Sequence, residues 1–272
     1  MFNHQSCYLC HKTNVRPIYK INNRSIYQCL NDDLFFSIDK KGSKFDYDHD
    51  YYEASPYNQL QLINNIYFQS KLNKLKTLTH EKKPNILDVG CGWGNFLQIV
   101  KNNHLPYLGI DLSPRAVEIC QEKKLSCQKA DLINLSKIKN QKYLIITFFQ
   151  VIEHLKNPLE YLKAAKKLLK KNGVLLITTP NNQSPLRYLL GSRWSVYNTP
   201  SHYFFYSKKS LERLLKLAGF SNFKVKIDHF RFFSSEYVLQ RIFNKKISIP
   251  QIINLPIPTD PWGDLEAIVI NK

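Results

Sequence analysis

The sequence predicts an α/β fold in which a doubly wound, parallel sheet is covered by helices on both faces. Three observations lead there. From residue 85 onward, short apolar runs alternate with helix-capping signals. The stretch 86–97, ILDVGCGWGNFL, reads as a buried strand, a glycine turn and a helix start. A second strand, YLGIDLS, ends in the acid Asp111 about one βαβ unit later.

Along the chain, residues 59–79 carry apolar positions at roughly helical spacing, including Leu60, Ile63, Ile66 and Leu75. A loop at 82–84 leads into the first strand of the sheet. After the glycine turn, Phe96, Leu97, Ile99 and Val100 follow at helical spacing. Ser113 and Pro114 give an N-cap with proline at the first helical position. Residues 125–129 and the continuous apolar run 143–149 supply the next two strands. Asn157, Pro158 and Glu160 open a long helix that includes KAAKKLLKK at 163–171, and Gly173 closes it. Residues 173–179 form a fifth strand, ended by Pro180 and Asn181. Ser207 caps a helix over 208–218 that Gly219 terminates, and 223–229 and 265–271 are the last strands. Between these, 230–263 is long for a connection, with a helix expected around 236–243, and makes a lid-like insertion on the substrate side.

The glycine turn carries the chemistry. Gly90, Gly92 and Gly94 leave the backbone bare, so a ligand can approach it closely. An acid at the end of the following strand, Asp111, suits the two hydroxyls of a ribose. Together they point to an adenosine-type cofactor. Asp88 stands two residues before Gly90, where it would repel a pyrophosphate and suit an ammonium group. That disfavours a nicotinamide dinucleotide.

The arrangement Asp88-x-Gly90-x-Gly92-x-Gly94 resembles the first motif of class I S-adenosylmethionine-dependent methyltransferases, whose fold is Rossmann-like. The resemblance covers roughly 51–272. It implies a mostly parallel sheet whose last strand runs antiparallel. It implies S-adenosylmethionine as cofactor, with Asp111 and Leu112 at the ribose and adenine. Asp131 and Leu132, after Ala130, stand where the family's third strand ends and an acid meets the adenine amino group. Gln150 begins QVIEHL, which looks like the family's segment after strand four. In related methyltransferases a leading segment covers the cofactor; here 46–84 would be that helical cap, and Tyr51 or Tyr52 the covering residue. Structural packing explains those tyrosines equally well.

His154 and His202 are the candidate general bases, since an unperturbed imidazole titrates near neutrality. His202 lies in a P-x-H-x-x-x-F/Y-S pattern that resembles the family's acceptor-side loop. Some quinone-pathway relatives carry E-x-x-E-H at the first of these sites and bind a divalent ion there. Gln150 occupies the first acidic position here, which weighs against a metal. The aromatic segment 193–205 is the expected pocket wall.

Residues 1–45 read as a separate zinc-ribbon-like unit with its own core. Cys7-x2-Cys10 is followed by Cys29-x2-Asp32, two short knuckles able to place four ligands around one structural zinc. Asp32 replaces the fourth cysteine, His11 or His4 being alternatives; a degenerate knuckle without metal is the competing reading. A similar knuckle precedes some bacterial small-molecule and sugar methyltransferases.

With 39 Lys and Arg against 21 Asp and Glu, the net charge is +18. Such a surface favours an anionic partner, although lysine abundance also follows from base composition of a genome. No run of 18 apolar residues suggests a membrane span, and the N-terminus lacks a signal-peptide core, so a cytoplasmic protein is expected. The favoured function is methyl transfer to oxygen or nitrogen of a small-molecule acceptor of sugar, polyketide or quinone type. An RNA or protein methyltransferase using the basic surface, or a non-catalytic cofactor-binding module, are the alternatives. Specific nucleic-acid binding is not expected, because no basic residues interleave with aromatics in a recognised RNA-binding pattern, and the N/D-P-P-Y/F turn of amino-methylating DNA enzymes is replaced by FFQVIEH.

Overall fold

In the computed structural model of the chain, the described residues are 6–21, 23–39, 61–138, 140–228, 232–234, 239, 247, 256–258 and 263–272. Tyr51, Tyr52, His4, the helix expected around 236–243 except its residue 239, and most of the 230–263 insertion lie outside them. Of that insertion the described strands are β11 (Phe232–Ser234) and β12 (Pro256–Pro258), which pair with each other.

Among the described residues the main sheet has seven strands. β4 (Ile86–Val89), β5 (Tyr107–Asp111), β6 (Cys127–Lys129), β7 (Tyr143–Phe149) and β8 (Leu169–Pro180) pair in parallel in the order β8-β7-β4-β5-β6. β13 (Asp264–Ile270) adds antiparallel to β8, and β10 (Phe223–Asp228) antiparallel to β13. The antiparallel last strand is therefore as the resemblance implied. The chain runs outward from β4 through β5 to β6, then returns to place β7 on the other side of β4. That reversal opens a crevice at the carboxyl ends of β4 and β7, where ligands of open α/β sheets bind.

Two-sided burial explains the apolar strands. Leu87, Val89, Ile146, Phe148, Leu175 and Ile177 face one cluster, whereas Ile86, Ile145, Val174 and Leu176 face the other. The first cluster receives α4 (Leu132–Leu135), α5 (Pro158–Leu168) and α7 (Lys208–Leu217). The second receives α1 (Gln61–Thr79) and α2 (Asn95–Asn102). α1 is also held by buried Lys71, 2.7 Å from both Asp228 and Glu266. α3 (Pro114–Glu122) begins as expected, with the Ser113 side chain accepting the Ala116 amide. At α7 the Ser207 cap is completed reciprocally by Ser210. At α5 only the start is as expected: the Asn157 side chain makes no cap bond, and its carbonyl takes the Glu160 and Tyr161 amides instead.

One boundary differs. The leucine and lysine spacing of 163–171 suggests a single helix to Gly173, yet α5 stops at Leu168 and Leu169 already pairs with Tyr143. The ladder then shifts register between Tyr143 and Ile145, and Asn172 takes φ 60. A Cβ at Gly173 would lie 2.9 Å from the Lys170 carbonyl oxygen, so only glycine fits the folded-back chain.

The N-terminal unit does not have a separate core. β1 (Val15–Ile21), β2 (Arg24–Cys29) and β3 (Phe35–Asp39) form an antiparallel sheet continued by β9 (Phe204–Phe205), with Phe35 opposite Phe205 and Phe36 opposite Phe204. Cys7, Leu9, Cys29, Leu34 and Phe36 belong to the same apolar cluster as Leu87 and Phe148. A 45-residue unit buries too little surface alone, and sharing a core removes that limit. Buried Arg24 fastens the join, donating to the carbonyls of Thr199 (2.6 Å) and His202 (2.7 Å) and to Ser37 Oγ (2.7 Å).

We expect urea unfolding to show one cooperative transition rather than early loss of the N-terminal strands. Arg24→Ala, which removes a buried guanidinium that donates to Thr199, His202 and Ser37 across the join, should cost about 3 kcal/mol. Two separated transitions, or an unchanged midpoint, would contradict the shared core.

Candidate functional site

The glycine turn is fastened to the sheet by its backbone. Both the Gly90 and Cys91 amides donate to the Ile110 carbonyl, at 2.8 and 3.2 Å. All three glycines of the motif have positive φ, between 49 and 72. Space reinforces the requirement: a Cβ at Gly90 would sit 2.6 Å from Val151, and one at Gly94 2.5 Å from Leu125.

Asp111 lies across this turn. Its carboxylate accepts the Gly92 amide at 3.0 Å on one oxygen and the Ser113 amide at 2.9 Å on the other. Burial raises its carboxyl above the usual range, and those two amides oppose the shift. Leu112 beside it is 53% exposed, which leaves an apolar surface beside the carboxylate. Asp131 caps α4 through the Ile133 amide (2.6 Å) and accepts the Tyr161 hydroxyl (3.0 Å), which fixes its orientation while a carboxylate keeps further lone pairs. The side chain of Leu132 is buried in the core, so only its backbone can face a ligand.

Asp88 is placed differently from an exposed ammonium partner. It is buried, it accepts from Thr147 Oγ1 at 2.6 Å, and burial pushes its carboxyl up to about 8. Thr147 was not anticipated; the only signal in the sequence is a hydroxyl within the apolar run of β7.

At the end of β7, Gln150 has φ 57, a strained conformation for a residue with a side chain. Its amide donates to the Thr178 carbonyl and its side chain to Asp264 Oδ2 at 3.2 Å. Next to it, Glu153, His154 and His202 bring ligand or proton-carrying atoms within 4.8 Å of one another. Glu153 is buried and accepts from Thr179 Oγ1 at 3.0 Å. His154 Nδ1 lies 3.2 Å from the Ser201 carbonyl and His202 Nδ1 lies 3.0 Å from that of Val196. A carbonyl can only accept, so in the neutral ring each Nδ1 carries the proton. The rings meet edge to face at 4.6 Å. Burial pushes His154 down to about 4, so the near-neutral titration expected of it is not met.

The aromatic segment expected to line a pocket is largely core. Trp194, Tyr197 and Phe205 pack against one another and against Ile21, Ile26 and Phe35 of the N-terminal sheet. Exposed apolar side chains cluster on the preceding α6 (Pro185–Leu190), where Tyr188 and Leu189 are 67% and 81% exposed.

The N-terminal knuckles do converge. Cys7, Cys10, Cys29 and Asp32 present four atoms within 4.8 Å, with Cys10 and Cys29 sulfurs 3.6 Å apart. The Leu9 amide points at Cys7 Sγ and the Asp32 amide at Cys29 Sγ. His11 is exposed and is not part of the set.

Comparison with known proteins fits this geometry. The methyltransferase-domain family matches residues 63–225, more than half of the sequence, and the chain belongs to that family. The ubiquinone biosynthesis O-methyltransferase of Leptothrix cholodnii is 24% identical over 145 residues, covering 51% of this chain and 59% of that protein. The chain thus spans less than two thirds of the length of this relative. Among solved structures, a SAM-dependent methyltransferase from Archaeoglobus fulgidus superposes with TM-score 0.55 at 21% identity, over 76% of this chain and 94% of that one. The plantazolicin methyltransferase BamL, solved with SAH, gives TM-score 0.57 at 15% identity, over 83% and 92%. These structural likenesses establish the fold.

Nuclear magnetic resonance titration should find His154 neutral at pH 6, with its midpoint near 4. A midpoint near 6.5 would show that the ring is solvated rather than buried.

Proposed function

We propose that the chain binds S-adenosylmethionine at the carboxyl ends of β4, β5 and β6 and transfers its methyl group to oxygen or nitrogen of a small-molecule acceptor. The observation that carries this is the Asp111 carboxylate, pinned by the Gly92 and Ser113 amides beside exposed Leu112. The ribose hydroxyls would bond that carboxylate and the adenine would lie on Leu112. Asp131 would take the adenine amino group. Gln150 would line the crevice at the switch point. Methyl transfer is an in-line displacement, so the protein's main task is to hold the two reactants in line, and a hydroxyl acceptor must also lose a proton.

The Glu153, His154 and His202 group is the site for that proton. His154, weakened as a base by burial, would orient the acceptor, and His202 would take the proton. The acceptor is taken to be a phenol of quinone type, because the curated relative reported above is a ubiquinone biosynthesis O-methyltransferase and α6 exposes an apolar edge. No described helix is long and apolar enough to cross a membrane. The net charge of +18 would help where that acceptor is anionic.

The four N-terminal ligands are proposed to hold one zinc. Two thiolates bonded to one tetrahedral zinc at about 2.3 Å stand roughly 3.7 Å apart, close to the Cys10–Cys29 spacing of 3.6 Å. The amides aimed at Cys7 and Cys29 suit thiolate charge. Zinc there would cross-link the knuckles, a structural task.

Three outcomes are expected. Calorimetry should give micromolar S-adenosylhomocysteine binding, on the order of −8 kcal/mol, and Asp111→Ala should weaken it about ten-fold or more. Binding of NADH in its place would overturn the assignment. Asp88, neutral below about pH 8, should ionise when a cofactor ammonium approaches. Affinity should then rise with pH up to about 8 and level off, with proton release seen across buffers of different ionisation enthalpy. Asp88→Asn should abolish the release, and a pH-independent affinity in the parent protein would rule this role out. Elemental analysis should find about one zinc per chain, lost in Cys29→Ser; metal-free protein with reduced thiols would leave a degenerate knuckle.

A further inference from the structure

A second group of cysteines lies against the glycine turn and is used neither by the proposed chemistry nor by the zinc knuckles. Cys91 stands between Gly90 and Gly92, Cys120 is on α3, and Cys127 opens β6; their sulfurs lie within 4.8 Å of one another. Cys91 and Cys127 sulfurs are 3.2 Å apart, and Cys120 Sγ lies 3.4 Å from the Gly92 carbonyl. The contact spans β5, whose residue Gly109 pairs with Cys127. A Cβ on Gly109 would stand 3.0 Å from Cys91 Sγ, so the bare backbone there lets the Cys91 thiol cross the strand.

The spacing separates two chemistries. An ion bonded at about 2.3 Å to sulfurs 3.2 Å apart would have a bond angle near 90°, against about 109° in a tetrahedral site. A disulfide needs the sulfurs to close to about 2.05 Å, a movement of roughly 1.2 Å. The N-terminal pair at 3.6 Å fits a metal, and this pair fits oxidation.

We propose that Cys91 and Cys127 are the site of a reversible disulfide formed by a hydroperoxide, and that the cross-link distorts the cofactor turn. The second half rests on the S-adenosylmethionine reading above. Cys127 is the most exposed of the three residues and meets the oxidant first, while Cys91 and Cys120 are buried. The Cys127 thiol gives its proton to solvent as its sulfur attacks the peroxide oxygen, breaking the O–O bond, and the departing hydroxide or alkoxide takes a proton from solvent and leaves as water or alcohol. The Cys91 sulfur then attacks the resulting sulfenic acid, forming the S–S bond as its proton and the departing hydroxide leave as water. Two thiols are oxidised and one peroxide is reduced. Drawing Cys91 toward β6 pulls on the turn whose Gly92 amide holds Asp111.

The test treats the reduced full-length chain with hydrogen peroxide, alkylates free thiols, and maps peptides without reduction. A Cys91–Cys127 cross-linked peptide is expected, removed by dithiothreitol. S-adenosylhomocysteine affinity should fall about ten-fold on oxidation and return on reduction, while Cys127→Ser should keep its affinity through the same treatment. Absence of the cross-linked peptide, or pairing of Cys127 with Cys120 instead, overturns the site. An unchanged affinity in cross-linked protein overturns its effect on the turn. Failure of the reduced protein to bind S-adenosylhomocysteine would count against the functional reading, whereas the peptide map decides the disulfide by itself.

Discussion

The carbonyl of Ile110, which accepts the Gly90 and Cys91 amides, is the interaction on which the site depends. It ends the β4–β5 ladder by turning the chain of one strand across the end of the next. With the turn held there, the Gly92 amide reaches Asp111, and the Asp111 carboxylate is oriented before any ligand arrives. Pre-set donors and acceptors of this kind spare a ligand the cost of ordering them. The strand reversal between β4 and β7 then decides which neighbours meet there: Thr147 against Asp88, and Gln150 after the end of β7.

The acidic residues around the turn are distinguished by burial rather than by type. Asp111 is held by two amides, Asp131 by an amide and a tyrosine hydroxyl, and Asp88 by one threonine in an apolar setting. Asp88 is pushed up to about 8, because one hydrogen bond does not offset the loss of water. The same logic separates His154 from an ordinary histidine. Enclosure between β7 and the 201–203 segment removes the solvent that would stabilise its charged form.

What the sequence revealed was what depends on neighbours along the chain. The glycine turn, Asp111 at its strand end, and the Ser113 and Ser207 caps are set by residues a few positions apart, so their patterns survive in one dimension. What depends on distant pairing did not show. The join of Phe35 to Phe205 brings together residues that no local pattern relates, and it turned an expected separate unit into an extension of the main core. The aromatic segment 193–205 looked like a pocket wall because its ring content is visible, while the sheet that buries it is not. The strand start at Leu169 was hidden by leucine and lysine spacing that suits a helix equally well. The cysteines at 91, 120 and 127 have no motif spacing; only the placing of β6 beside β5, and a glycine at 109, brings them together.

The central claim is that this crevice is an S-adenosylmethionine site. A crystal structure of the protein grown with S-adenosylhomocysteine tests it most directly. The account predicts the ribose hydroxyls on the Asp111 carboxylate, the adenine against Leu112 with its amino group toward Asp131, and the amino-acid tail along Gly90 and Gly92. Ligand density elsewhere on the molecule, or none at saturating concentration with the turn in the same conformation, would contradict it.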